Sequence, residues 1–385
     1  MGGNRLAGIP GFGIDQVAAA AAADPDVLRL ENLDTDLRPH PDAVAATAAA
    51  LDTPEGNSWL PFTGKVAMRA AVARQLRDRS GVDYDPATQI VITCGEGDAM
   101  VDALFVTTDP GDEVIVTDPT YAGMINRVRI VSAVPRFTPL TYADGAWHLD
   151  LDALRSAVTP GTRALFVANP GMPTGNVITR DEWDAVAAVC REHDLWLIYL
   201  AWMEKILYDD REYVHPASLP GMADRVVTVG TVSLEQRMIG WRIGWVAVPD
   251  RLGSDIARAH IYNGLTPGGI AQAGAVAALV APEEDLARAV AEWERRRNVV
   301  VEQLEGLPVR RSSGGWSMLV DVGELDLDAA EVSAALLGQK VAATPMTAWG
   351  QSVGPRHVRI VYSREPVDRL ALLGSRFQAA VARLT

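Results

Sequence analysis

The chain has 385 residues, 48% of them apolar and 22% charged, with 35 Lys+Arg against 49 Asp+Glu and a formal net charge of −14. That much apolar surface supports a soluble globular protein with one large domain and an appended smaller one, because single cores stop growing well below this length. The acidic balance excludes a nucleic-acid or anionic-membrane partner, both of which need a basic face, so any anion the protein binds has to be met locally.

The opening stretch MGGNRLAGIPGFG contains no continuous apolar run, and no segment reaches the roughly 18 apolar residues of a membrane span, so a cytoplasmic protein is expected. Residues 1–40 read as irregular apart from a short Ala-rich stretch: an N-terminal arm and part of the small domain. Residues 41–284 read as the large domain. From about residue 89, β-branched runs (QIVITC, DEVIVTD, ALFVANP, LWLIYL, RVVTVG, IGWVAVP) alternate with helix-period segments such as RDEWDAVAAVCREHD. Strands apolar at consecutive positions are covered on both faces, which predicts an α/β fold with a mostly parallel mixed sheet between helices. Residues 285–385 read as a smaller α+β domain: a long amphipathic helix in PEEDLARAVAEWERRRNVVVEQLEGL, strands in GGWSMLVDV, KVAATP and HVRIVYS, and a terminal helix.

Cys94 and Cys190 lie in apolar runs far apart and are expected to be buried free thiols. The histidines at 40, 148, 193, 215, 260 and 357 show no ligand spacing, so no metal site is expected. Lys65, Lys205 and Lys340 are the only lysines.

Five motifs occur in one order: Trp59-Leu-Pro-Phe-Thr-Gly64, Asp118-Pro-Thr-Tyr121, Asn169-Pro-Gly-Met-Pro-Thr-Gly175, Gly230-Thr-Val-Ser-Leu-Glu-Gln-Arg-Met-Ile-Gly-Trp-Arg-Ile-Gly244 and His357-Val-Arg359-Ile360. Together they resemble the class I/II aminotransferases of the fold-type I pyridoxal phosphate (PLP) family, over nearly the whole chain. The chemistry of that family needs a lysine to hold the aldehyde as a Schiff base, a carboxylate on the pyridine nitrogen and donors to the ring's phenolic oxygen. The resemblance places Leu234 at the lysine, Leu200 at the aspartate, Met203 at the tyrosine and Met172 at the second asparagine. It places Trp59 at the tyrosine that reaches the cofactor phosphate from the neighbouring subunit. It keeps Arg242 and Thr231 at phosphate-binding positions, Arg359 at the arginine for the substrate's α-carboxylate and Tyr121 at the ring that stacks on the cofactor. The turn Gly95–Ala99, between a strand and a helix, offers free N–H groups to an anion, although Glu96 within it opposes a dianion.

Replacing a buried Asp and Lys together by Leu leaves no orphaned charge, so the substitutions read as a pocket refitted for apolar surface. The expectation drawn from them is an enzyme of specialised biosynthetic metabolism that has lost PLP catalysis, independent of any cofactor and with no PLP held as a covalent Schiff base. It would act on a small carboxylate-bearing substrate with an apolar portion. Two alternatives stand beside it: a non-catalytic ligand binder or partner subunit of an active homologue, and an atypical PLP-dependent aminotransferase, for which Lys65 and Lys205 are weak replacements for the missing lysine. A homodimer with the pocket at the subunit boundary is expected, with Trp59, Tyr121, Met172, Leu200, Met203, Thr231, Leu234, Arg242 and Arg359 binding the substrate. The sequence names no catalytic residue.

Overall fold

The computed structural model describes residue 6, residues 9–11 and residues 13–385, so part of the expected N-terminal arm lies outside the described residues. The helix Gly13–Ala21 and the short strand β1 (Leu28–Arg29) precede the main sheet. That sheet contains β2 (Ile90–Thr93), β3 (Glu113–Asp118), β4 (Val134–Ala143), β5 (Ala146–Leu149), β6 (Thr162–Ala168), β7 (Trp196–Ala201), β8 (Val226–Thr231) and β9 (Gly244–Ala247), in the order β2-β9-β8-β7-β6-β3-β4-β5. The strands β4, β3, β6, β7 and β8 are parallel neighbours, β9 runs antiparallel to β8 and β2, and β5 folds back on β4. This is the expected α/β class. β8 is buried at every position and β7 at all but its first, as strands covered by helices on both faces must be.

Local signals set the helices that cover it. Thr179 and Glu182 form a capping box at the start of Arg180–Glu192, each satisfying a backbone N–H that the first turn leaves free. Gly81 closes Val66–Ser80 in a left-handed conformation. The helix Glu283–Gln303 opens with three acidic residues that complement its dipole and buries Trp293, Arg296 and Arg297. The boundary expected between residues 284 and 285 falls inside its first turn.

After that helix come β10 (Val309–Arg310), β11 (Ser317–Asp321), β12 (Val341–Ala342), β13 (Thr344–Pro345) and β14 (His357–Val361). β10, β11, β14 and β13 form an antiparallel sheet, and β12 pairs in parallel with β1, Leu28 opposite Val341. Cys190 is buried, as expected, and burial pushes its thiol up to about 12; Cys94 is exposed, contrary to expectation, because it sits just past the end of β2. No helix among the described residues is long and apolar enough to cross a membrane.

Candidate active site

β3, β6, β7 and β8 all deliver their carboxyl ends to one edge of the sheet, the edge at which open α/β folds bind ligands. The loops leaving these strands carry most of the expected site residues.

The loop after β8 builds an anion cradle. Thr231 Oγ1 lies 2.8 Å from Ser233 Oγ, 2.9 Å from the Ile243 carbonyl and 3.1 Å from the Ser233 N–H, all buried. Arg242, in a left-handed conformation (φ 53°), turns its Nη1 back to the Ile239 carbonyl at 2.9 Å and to Ser233 Oγ at 3.4 Å. The guanidinium lies so close to Gly95 that a Cβ there would come within 2.4 Å of Nη2; glycine at φ +79° is what lets the start of helix Glu96–Thr107 approach the arginine. Glu96 shares the cradle: its Oε2 stands 3.8 Å from Arg242 Nη2 and has no hydrogen-bond partner. A dianion seated there would displace the Glu96 carboxylate from Arg242.

Around this cradle the side chains are apolar. Leu200 is fully buried on β7, in register with Ala168 and Val229, and Leu234 follows Ser233 at 4% exposure. Met203 is buried with its methyl against Gly315. None of the three offers a hydrogen-bonding group to a pyridine nitrogen, an aldehyde or a phenolic oxygen. The phosphate end of PLP therefore fits the residues present, and the ring end finds no polar side chain at these positions.

A third group collects around Arg359 on β14. Its guanidinium is fully buried: Nη2 donates to the Glu31 carbonyl, Nη1 meets only the Met172 sulfur at 4.0 Å, and Nε has no partner. Its cationic face lies 4.6 Å from the ring centre of Trp349. No carboxylate lies within ion-pair distance of it among the described residues; burial pushes it down to about 9, with the charge of the buried Glu31 acting the other way. Trp349 lies 6.1 Å from the Tyr121 ring, and Tyr121 lies 5.5 Å from Trp202, whose Nε1 donates to the Pro170 carbonyl at 3.4 Å. A cleft of about 510 Å³ opens between Ile125, Phe137, Thr347 and Gly350, against the loop that carries Trp349.

The structure thus brings Arg359, Met172 and Tyr121 into one constellation and Thr231 and Arg242 into another. Trp59 stands apart: it packs on Phe62 at 5.2 Å and remains 73% exposed. Sequence reasoning missed the two indoles, Trp202 and Trp349, and it gave Asp118 no role. The buried Asp118 carboxylate accepts hydrogen bonds from the N–H groups of Gln351, Ser352, Val353 and Gly354 and from Ser352 Oγ, fixing the loop that holds Trp349. It also missed a buried ion cluster directly behind the apolar floor. Arg79 reaches Glu204 at 2.6 Å and Glu235 at 2.5 Å, and Glu204 further accepts from Tyr199 at 2.9 Å and Tyr213 at 2.6 Å. Burial alone would raise the Glu204 carboxyl; the Arg79 charge and hydrogen bond, the facing His215 and the Tyr213 hydroxyl together override it and hold the group below the usual range. A second cluster, Asp98, Asp102 and His260, has ligand-type atoms within 4.8 Å of one another, although the histidine spacing gave no sign of it. His260 Nδ1 is 2.8 Å from Asp102 Oδ2, and burial raises the Asp102 carboxyl. The exposed Lys205 sits over the Tyr213 ring at 4.7 Å, in the layer of that ion cluster.

Residues 26–372 match the family described as aminotransferase class I and II. The chain is 32% identical over 325 residues to the aromatic-amino-acid aminotransferase 2 of Thermococcus litoralis, covering 81% of this chain and 82% of the other. It is 34% identical to the arginine–pyruvate transaminase of Pseudomonas aeruginosa, covering 81% and 80%. The solved N-succinyldiaminopimelate aminotransferase of Mycobacterium tuberculosis superposes with a TM-score of 0.90 at 28% identity, covering 100% of this chain and 99% of that one. These likenesses correct the expectation of a cofactor-independent enzyme, of lost PLP catalysis and of no cofactor: the relatives are named aminotransferases, enzymes of a PLP-dependent family. The leucine at 234 does not by itself establish the loss of that chemistry. The expectation gave the apolar floor more weight than the kept Thr231, Arg242 and Arg359.

Proposed function

Since the chain belongs to the class I and II aminotransferase family, we propose that it is an atypical PLP-dependent aminotransferase, a divergent member in which Leu234 stands where the lysine would be and the cofactor is held through its phosphate. The observation that supports this reading is the grouping of the Thr231 and Ser233 hydroxyls with the Arg242 guanidinium, packed on Gly95 at a helix start, where an anion is favoured. Bound there, the cofactor supplies an electron-withdrawing ring. No step at that ring is assigned to Leu200, Met203 or Leu234, which have no proton to give or take.

The chain's own residues bind and orient. Arg359 is the carboxylate receptor: on this fully buried guanidinium Nε has no partner and Nη1 has no oxygen partner, so both are open to an anion. Asp118 holds the Trp349 loop that closes over it. The substrate is a small carboxylate-bearing molecule, and the working form is a homodimer that brings a partner surface to the exposed Trp59 segment.

Titration of the purified protein with PLP and with unphosphorylated pyridoxal, read by absorbance and by tryptophan fluorescence, tests this. PLP binds, pyridoxal binds at least about tenfold more weakly, and Arg242→Ala removes most of the difference. Absence of PLP binding at millimolar concentration overturns the proposal. Stoichiometric borohydride labelling of Lys65 or Lys205 overturns the phosphate-only mode of holding.

A further inference from the structure

We propose that Glu96 is a built-in competitor for the cofactor phosphate: its carboxylate is the counter-ion of Arg242, and an anion enters the cradle by exchanging with it. This rests on the reading of the cradle as the phosphate site, and adds how firmly the cofactor is held there and by what exchange it comes and goes.

The donors of the cradle converge on one small region. Arg242 Nη1 is bonded to the Ile239 carbonyl and Ser233 Oγ, while Nη2 faces Gly95 at the start of the helix Glu96–Thr107. No side chain caps that helix, so the N–H groups of its first turn add positive potential at the same place. Thr231 Oγ1 gives its proton to the Ile243 carbonyl, which leaves the Ser233 hydroxyl as the donor for an anion. Arg127, packed on Gly97 in the same turn, is committed to the Gly97 and Gly123 carbonyls. Arg242 is therefore the cation that an incoming anion has to share.

Glu96 already shares it. Among the described residues Arg242 is the one cation within ion-pair distance of this carboxylate, and at 3.8 Å from Nη2 the contact is too long for a hydrogen bond. The Oε2 atom is buried and has no hydrogen-bond partner. An acid that only complemented the helix dipole would stand in water on the first turn. This side chain is 15% exposed and Arg242 is 45% exposed, so the carboxylate lies inside the cradle while the guanidinium keeps an open side. Oε2 is displaced without breaking a hydrogen bond, yet while it stays a phosphate meets a like charge. Leu234 offers no covalent anchor, so the balance between Glu96 and the phosphate sets how long the cofactor remains.

Isothermal calorimetry with inorganic phosphate and with PLP, on the full chain as wild type, Glu96→Gln and Glu96→Asp, decides this, together with urea unfolding of each with and without phosphate. Glu96→Gln keeps the shape and removes the charge, and it binds inorganic phosphate at least about tenfold tighter than the wild type. Glu96→Asp keeps a charge on the first turn but draws it back from Arg242, and gains about threefold. Without phosphate, Glu96→Gln unfolds at lower urea concentration than the wild type, because Arg242 and the helix start lose their counter-charge; phosphate then raises its midpoint by more than it raises the wild type's. A merely structural role lowers the midpoint and leaves phosphate affinity unchanged, and that result overturns the proposal. So does weaker phosphate binding in Glu96→Gln, or no phosphate binding by either variant at millimolar concentration; if Glu96→Gln does not fold, Glu96→Asp decides alone. The two readings fail separately. Phosphate gains as expected without PLP binding count against the PLP reading only, and PLP and phosphate binding that is equal in all three proteins counts against Glu96 only.

Discussion

At the scale of single residues, Arg359 carries opposite consequences for stability and for binding. Its charge is fully buried, the charge of Glu31 offsets that burial only in part, and Nε goes without a partner. A cation whose folded value is pushed down, here to about 9, disfavours the fold at every pH below that value, and the cost fades only above it. Replacing such a group by a methionine of similar length removes the cost, as replacing buried charges by apolar residues often does. Arg359→Met is therefore expected to raise stability by about 1–3 kcal/mol near neutral pH. It should also weaken carboxylate binding by about 2–5 kcal/mol. Denaturant unfolding and calorimetry on the same preparation check both. A variant that is destabilised and binds normally would show that Arg359 is a structural residue. The apolar floor follows the opposite logic: with Leu at both 200 and 234 no charge is left for a partner to answer.

At the scale of elements, the end of β7 joins the apolar floor to the ion cluster behind it. Leu200 and Met203 belong to the floor, and Glu204, one residue on, belongs to the cluster with Arg79, Glu235, Tyr199 and Tyr213. His215 seals this layer. Its ring packs edge-on to Tyr199 at 5.1 Å, Nδ1 accepts from the Ala217 N–H, and Nε2 faces Glu204 at 3.9 Å. Burial pushes His215 down from 6.5 to about 4, so between those values the unfolded chain binds a proton that the fold refuses. Stability is then expected to fall as pH drops from 6.5 toward 4, by about 3 kcal/mol for this group. His215→Asn, which keeps an acceptor for Ala217, should flatten unfolding free energy against pH above about pH 5. An unchanged slope would place the buried proton acceptor elsewhere. None of this layer was legible in the sequence, because Glu204 and Glu235 gave no sign of facing Arg79 from so far away in the chain. The buried strands were legible, since runs apolar at every position have few other homes. The β4–β5 hairpin was missed because β4 alternates and contains prolines, although Asp144-Gly145, both at positive φ, is a hairpin turn signal. The strand-end motifs named Leu200, Met203 and Leu234, which the structure buries, and said nothing of Trp202 or Trp349, whose meeting at Tyr121 depends on a loop held by Asp118.

At the scale of the whole molecule, one face of the single chain is left unfinished. Trp59 (73%), Val66 (67%), Leu265 (50%) and Tyr262 (87%) are large apolar side chains in solvent. They come from two segments that touch: Thr266 Oγ1 donates to the Pro61 carbonyl at 3.3 Å, and the Lys65 N–H donates to Gln272 Oε1 at 2.8 Å. Scattered exposed apolar residues need no explanation, but an indole and a phenol exposed on two touching segments are what an interface between copies would cover. The same surface is close to the cradle, because Asn263 bonds Asp98 and Asp102 of the helix whose first turn faces Arg242. A two-fold partner covering this face would reach the binding region of its neighbour and bring a surface to Trp59, whose ring packs on Phe62. Sedimentation of the full-length protein at micromolar concentration is expected to give a dimer. The double substitution Trp59→Glu with Tyr262→Glu should place like charges on both halves of a self-complementary patch and yield a folded monomer with weakened ligand affinity. A monomeric wild type would remove the interface reading. A monomeric double variant with unchanged affinity would retain the interface and show that each chain's pocket is complete without its partner.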